Sequence, residues 1–114
     1  ATSLRDDKKV IDLIKILDDR GKGLAAICAA PIVLARAGLT EDRKVTSYPG
    51  FEEEIGSDKY EEGLVVVDEN IISSRGPATA VYLALELIGL LKGDRKKDEI
   101  RKDILLDLVE KDRC

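Results

Sequence analysis

The stretch GLAAICAAPIVLARAGL, residues 23–39, decides the fold because it places one cysteine between two apolar runs of different period. Leu24–Ile27 is short and uniformly apolar after Gly-Lys-Gly, the pattern of a parallel strand covered on both faces, although its two alanines weaken it as a strand. Ala30–Ala37 reads as a short helix, with Pro31 in its first turn and Gly38 closing it. Cys28 then sits on the turn from strand to helix, the geometry of a nucleophile elbow with Cys in place of Ser. The free N–H groups and dipole of a helix start favour an anion and so lower a thiol pKa. The Ala29 N–H stands next to the sulfur, where it would stabilise an oxyanion or an oxidised thiol, and Ala26, Ala29 and Ala30 leave room. The competing reading is a small buried hydrophobe, the commoner fate of a free cysteine. Spacing alone leaves both open, with the buried reading ahead.

Working outward, Asp6–Arg20 has Val10, Leu13, Ile14 and Leu17 at i, i+3, i+4 and i+7, which predicts an amphipathic helix. Ser3 and Asp6 offer its N-cap and Gly21 its stop. Lys44–Ser47 is a candidate strand. YPGFEEEIG, residues 48–56, is a turn followed by a brief helical turn. Leu64–Val67 and Ile71–Ser74 are two strands split by Asp-Glu-Asn, a hairpin signal. Pro77–Leu91 is a second long helix with Val81, Ala84, Leu85 and Ile88 on one stripe, ended by Gly93. Lys97–Val109 is a third, with Ile100, Ile104, Leu105 and Leu108 inward. Helices alternating with short apolar strands predict an α/β layered fold. No linker or repeat divides the chain. It opens on a helix, and strand Leu24–Ile27, if central, needs sheet neighbours on both edges. Something amino-terminal is therefore expected to be missing from this chain.

The totals narrow the function. A chain of 114 residues suffices for one small domain. The net charge of −4, without a basic face, argues against nucleic acid as the main partner. No apolar run of about 18 residues or more predicts a membrane span, and the amino end is polar and charged, unlike a signal peptide. Two cysteines far apart do not form a disulfide framework, so a reducing, cytoplasmic setting is the simpler reading. Histidine is absent, so no Ser-His-Asp or Cys-His pair can be built within the chain, and no cofactor or metal cluster is indicated. Gln and Met are also missing and Asn70 is the sole Asn, a composition like that of heat-adapted proteins. The lack of Met implies either a removed initiator before Ala1 or a piece of something longer.

Two further segments gather near a site. SSRGPAT, residues 73–79, follows a strand and opens a helix, and such turns lie where ligands bind in α/β sheets. Arg75 there would hold an anion or pair with a carboxylate, and Ser74 would cap the helix. The structural alternative is that Gly76 makes the turn and Pro77 starts the helix. Tyr48 could donate a hydrogen bond to a cysteine site or be a half-buried turn aromatic. Glu52, Glu53 and Glu54 read as a solvated face, and Cys114 as an exposed chain end without a role.

Taken together, AAICAAP, KVTSYPGFEEEI and VVVDENIISSRGPATAVYLALELIGLLKG resemble, in content, order and spacing, the carboxyl-terminal part of the DJ-1/ThiJ/PfpI superfamily in its DJ-1-like branch. The likeness covers Ala1–Gly93. It implies a flavodoxin-like three-layer α/β sandwich with a mostly parallel sheet, whose amino-terminal strands are absent from this chain. Residues 1–114 would be the carboxyl-terminal portion of a single domain. The likeness further implies that Cys28 is the reactive thiol with Ala29 supporting charge beside it; the two turns read above add Tyr48, Ser74, Arg75, Gly76 and Pro77 as residues expected to line the site. The implied function is glyoxalase- or deglycase-type chemistry on small aldehydes without a cofactor. The alternative is an oxidisable stress-protective or sensor protein. The implied partners are an amino-terminal half supplying a Glu and a second copy of the complete domain. Some relatives carry a His where Tyr48 stands, and the protease-like branch carries one where Ala29 stands. Both departures count against peptidase and amidotransferase chemistry.

Overall fold

The structure, a computed structural model, describes residues 1–113; the sequence reading of Cys114 lies outside them. The chain falls into two compact units, Ala1–Ala80 and Val81 onward, and the division lies within a helix rather than at a linker.

In the first unit, α1 (Thr2–Arg5) and α2 (Lys8–Asp19) precede β1 (Leu24–Ile27). The predicted helix Asp6–Arg20 starts later because Asp7, not Ser3 or Asp6, is the cap: its carboxylate accepts the Lys9 N–H at 2.8 Å. Gly21, at φ 71°, ends α2 in the left-handed conformation that its missing Cβ permits. Val10, Ile14 and Leu17 face inward as predicted, but Leu13 is 55% exposed and Ile11 takes its place in the core. Next come α3 (Pro31–Arg36), β2 (Lys44–Val45), α4 (Glu52–Ile55), β3 (Lys59–Tyr60), β4 (Val65–Asp68) and β5 (Ile71–Ser74).

The main sheet has the order β1-β5-β4. β1 runs parallel to β5, from Leu24 beside Ile71 to Ile27 beside Ser74. β4 and β5 form the predicted hairpin, with Asp68 opposite Ile71. Its turn holds Glu69 at φ 53°, and the Asn70 side chain anchors it. The Asn70 amide donates to Asp18 at 2.8 Å and to the Lys22 carbonyl at 2.9 Å, and its oxygen accepts from Arg43 at 2.8 Å. All four residues of β5 are buried, so β5 is the central strand of this unit. β1 has one neighbour: among the described residues no strand covers its other edge, and Ala25 is exposed.

A second, two-stranded parallel sheet pairs β2 with β3, of which the sequence reading had only β2, and that two residues too long. β2 stops at Val45 because Thr46 turns its N–H to the Ser73 hydroxyl, at 3.0 Å, instead of to a strand. α3 packs both ways from the sheet. Leu34 joins Leu24, Ala26 and Ile71, while Ile32 and Val33 join Val45 and Ile55. Each such side chain contributes about 1.5–3 kcal/mol by leaving water.

The first unit ends with a 3-10 turn (Pro77–Thr79); α5 (Ala80–Lys92), from Val81 onward, belongs with α6 (Asp94–Asp103) and α7 (Leu106–Arg113) to the second unit. The predicted single helix Lys97–Val109 is broken where Leu105 takes φ 64°. The expected apolar stripes hold only in part. Leu85 is buried and Ile88 and Ile100 half-buried, whereas Val81, Ala84, Ile104, Leu105 and Leu108 are exposed. Polar ties connect its helices: Tyr82 donates to Glu110 at 2.6 Å, Arg101 pairs with Asp107 at 2.7 Å and with Glu110, and Lys97 with Glu86 at 3.3 Å. Among the described residues no helix is long and apolar enough to cross a membrane.

Candidate functional site

Cys28 is half-buried on the three-residue turn between β1 and α3, at φ 66°. A non-glycine residue rarely holds that conformation, which costs about 1–2 kcal/mol unless its surroundings impose it. Here they do. The Cys28 N–H continues the β1–β5 ladder past the end of the strand and donates to the Ser74 carbonyl at 3.0 Å. The Cys28 carbonyl accepts the Tyr48 N–H at 2.7 Å. The sharp turn is thus fastened to two other segments.

The residues just after the sulfur are arranged for a helix start. Ala30 N–H bonds back to the Ile27 carbonyl at 3.1 Å, and the Ala29 and Ala30 carbonyls open the helical bonding at 3.2 and 2.9 Å. The Ala29 N–H donates to no group among the described residues. A free backbone donor adjoining a thiol is the arrangement that receives developing negative charge. Pro31, fully buried at the first helical position, presets the helix backbone.

Of the other expected site residues, Ser74 and Tyr48 bond the Cys28 backbone, and Arg75 and Gly76 lie against the Ser47–Tyr48 segment. Tyr48 holds the Cys28 carbonyl by its backbone, and its ring, 47% exposed, lies against Gly76, where a Cβ would meet it at 3.5 Å. Gly76 is fully extended, so the space beside Tyr48, not backbone freedom, is what glycine supplies there. Arg75 is 17% exposed; its Nε donates to the Ser47 carbonyl at 2.9 Å and its outer nitrogen pairs with Glu62 at 3.4 Å. The guanidinium thus takes up the pairing with a carboxylate that was one of its two expected roles, while its remaining terminal nitrogen has no partner among the described residues.

Ser74 does not cap the next helix, contrary to expectation. Its hydroxyl bonds the Leu64 carbonyl and the Thr79 hydroxyl, each at 2.6 Å. The N-cap position is Gly76, without a side chain to accept, and Thr79 three residues on accepts the Gly76 N–H at 3.0 Å at the start of a 3-10 turn. Pro77 is exposed at the start of that turn.

Sequence reasoning missed Ser47 and Tyr60. Ser47 is fully buried, its carbonyl under Arg75 and its hydroxyl 2.8 Å from the Tyr60 hydroxyl. Only its place beside Tyr48 could have pointed to it. Glu52, read as a solvated face, folds back to accept the Gly50 N–H at 3.0 Å. Backbone hydrogen bonds at Glu52 and Gly50 hold its carboxyl below the usual carboxylate range. Among the described residues no group of three or more His, Cys, Asp or Glu is placed to hold a metal ion.

A parallel strand ending in a cysteine on a left-handed turn, with a helix starting behind it, defines an α/β protein of flavodoxin-like fold with a cysteine elbow. Comparisons with known proteins agree. The profile of the DJ-1/PfpI family matches residues 1–90, and the chain belongs to that family. It is similar to Protein dj-1beta of Drosophila melanogaster, at 35% identity over 108 residues, covering 93% of this chain and 58% of that protein. The crystal structure of Drosophila melanogaster DJ-1beta superposes with a TM-score of 0.83 at 36% identity, over 91% of this chain and 57% of that one. Toxoplasma gondii DJ-1, in a structure described as oxidized, gives 0.81 at 35% identity, over 89% of this chain and 55% of that one. A Pyrococcus horikoshii protein named a deglycase is 35% identical over 91 residues, covering 78% of this chain and 55% of that protein. The chain thus spans little more than half the length of these relatives.

Proposed function

We propose that this chain forms the thiol-bearing portion of a cofactor-independent enzyme acting on small reactive aldehydes by glyoxalase- or deglycase-type chemistry. The observation that carries the reading is the Cys28 turn: a strained, doubly fastened elbow with the free Ala29 N–H beside the sulfur. The Pyrococcus horikoshii relative named a deglycase supports the choice of reaction. In the proposed reaction the Cys28 thiolate adds to the aldehyde carbon of a 2-oxoaldehyde such as methylglyoxal. A C–S bond forms and the carbonyl oxygen takes up the electron pair beside the Ala29 N–H, then a proton, giving a hemithioacetal. A carboxylate moves the proton from that carbon toward the neighbouring ketone, which is reduced as the former aldehyde carbon is oxidised to a thioester. Water then releases a hydroxy acid and the thiol. The balance is one water added, with no external oxidant.

The carboxylate is assigned to a Glu of an amino-terminal half, on the same chain or another, that pairs with the free edge of β1. That edge and the half-length match to the relatives support the assignment. The complete domain is proposed to act as a homodimer, in the cytoplasm, where a free thiol stays reduced. Methylglyoxal turnover by the completed protein, with loss of turnover in Cys28→Ser, is the expected result. If the completed protein shows no turnover and Cys28→Ser behaves identically, the enzyme reading is wrong.

A second reading, a stress-protective or redox-sensing protein without turnover, is favoured by the relative solved in an oxidized state. Peroxide would carry the same thiol to sulfenic and then sulfinic acid. Intact mass should then show two oxygens on Cys28 before Cys114 reacts; modification of Cys114 first would count against it.

A further inference from the structure

The bonds around the elbow close into a ring. Cys28 N–H donates to the Ser74 carbonyl at 3.0 Å, and the next residue, Arg75, sends its Nε–H to the Ser47 carbonyl at 2.9 Å. That carbonyl belongs to the peptide group whose N–H is that of Tyr48, and Tyr48 N–H returns to the Cys28 carbonyl at 2.7 Å. One peptide unit therefore has a guanidinium on its oxygen and the cysteine carbonyl on its hydrogen. A cation on the oxygen withdraws electron density and makes the N–H a stronger donor, so the two bonds reinforce one another. The Tyr48 N–H bond, at 2.7 Å, lies at the short end of the ordinary range. Glu62 steadies the guanidinium from outside, and the Tyr60 hydroxyl holds Ser47 from the side.

Resting on the reading of Cys28 as the reactive thiol, we infer that Arg75 is a positioning residue. It acts through the Ser47–Tyr48 peptide to hold Cys28 in its left-handed conformation, and thereby sets the reactivity of the sulfur without touching substrate. The ordinary alternative for an arginine beside a cysteine site, direct binding of an anion through the outer nitrogens, does not account for the Nε–H placed on the Ser47 carbonyl. The ring also gives Tyr48 a role independent of its phenol. What matters at residue 48 is the backbone N–H, so Tyr48→Phe should leave the ring intact.

The test is made on the completed protein with two readouts: the second-order rate of Cys28 with hydrogen peroxide, and the amide proton shift of Tyr48. In Arg75→Ala the rate should fall about tenfold, the size expected for loss of a charge-assisted hydrogen bond. The Tyr48 amide should move upfield as its bond lengthens. Arg75→Lys, which keeps a cation able to reach Ser47, should restore part of both. Glu62→Gln, at an 82% exposed side chain, should give a smaller change in the same direction and serves if Arg75→Ala does not fold. A reactive Cys28 whose rate ignores Arg75, or falls while the Tyr48 amide stays put, overturns the inference alone. A wild-type Cys28 inert to peroxide overturns the thiol reading and the inference with it.

Discussion

At the scale of single residues, Cys28 is one of three non-glycine residues held at positive φ among the described residues. Its backbone angle suits glycine, yet cysteine occupies it, held by Ser74 and Tyr48. Removing the Cβ should release strain: Cys28→Gly is expected to be about 1 kcal/mol more stable than Cys28→Ala, since both lack the thiol and differ in the left-handed penalty. Equal denaturation midpoints for the two variants would show that the turn is not strained. A second residue tests the polar interior. Thr46 is fully buried, and its hydroxyl has no partner among the described residues although its N–H is bound to Ser73. Thr46→Val keeps shape and N–H, so it should be neutral or stabilising by about 1 kcal/mol. Ser73→Ala, which strands the Thr46 N–H, should destabilise by about 1–3 kcal/mol. The reverse order in urea titrations would contradict the bonding described for this pair.

At the scale of elements, β1 is the decisive one. In its parallel ladder the Leu24 and Cys28 N–H groups point to β5, so the alternate residues Ala25 and Ile27 direct theirs to the open edge. An open edge is a template for another strand. Ala25→Pro removes one edge donor without touching the bonds to β5, the position where a strand tolerates proline. It should leave the helical signal of this chain unchanged while abolishing binding of a separately supplied amino-terminal half, the partner proposed above; Ala25→Val should retain it. If Ala25→Pro binds that half as well as wild type, strand addition at this edge is not how the domain is completed. The elbow and α3 were legible because Pro31 and Gly38 mark the helix at both ends. β3 was not, because two residues, Lys59 and Tyr60, carry no period, and their pairing with β2 is set by distant packing around Val45.

At the scale of the whole molecule, each unit is held by a different kind of force. The first is organised by buried apolar side chains around α3; the second exposes many of its apolar residues and relies visibly on the Tyr82–Glu110–Arg101 cluster. The bond from Tyr82, then the Arg101 guanidinium, hold the Glu110 carboxyl below its ordinary range. The same bond to Glu110 pushes the Tyr82 hydroxyl above its own. Signs follow from linkage. The Glu110 contribution is present above the ordinary carboxylate range, about pH 4.3, and is lost as pH falls through the depressed value. The Tyr82 contribution is present below about pH 10 and is lost as pH rises through the raised one. Hydrogen exchange of the α7 amides should therefore quicken at both extremes, and Tyr82→Phe should flatten the alkaline limb and weaken the acid one. An unchanged acid limb in Tyr82→Phe would place the control elsewhere.

The sequence by itself determined the strand, turn and helix around Cys28, the β4–β5 hairpin and the family, because these rest on local period, turn residues and the order of three motif blocks. Only the tertiary structure decided which strand is central, where the long helices break, and that Ser47, Tyr60 and Arg75 meet behind the cysteine. Those outcomes depend on hydrogen bonds between residues far apart in the chain, such as Arg75 to Ser47, 28 positions away, and Asn70 to Asp18, 52 positions away. A chain's local pattern carries no record of such pairings, since each polar side chain is satisfied by whichever partner packing brings within reach.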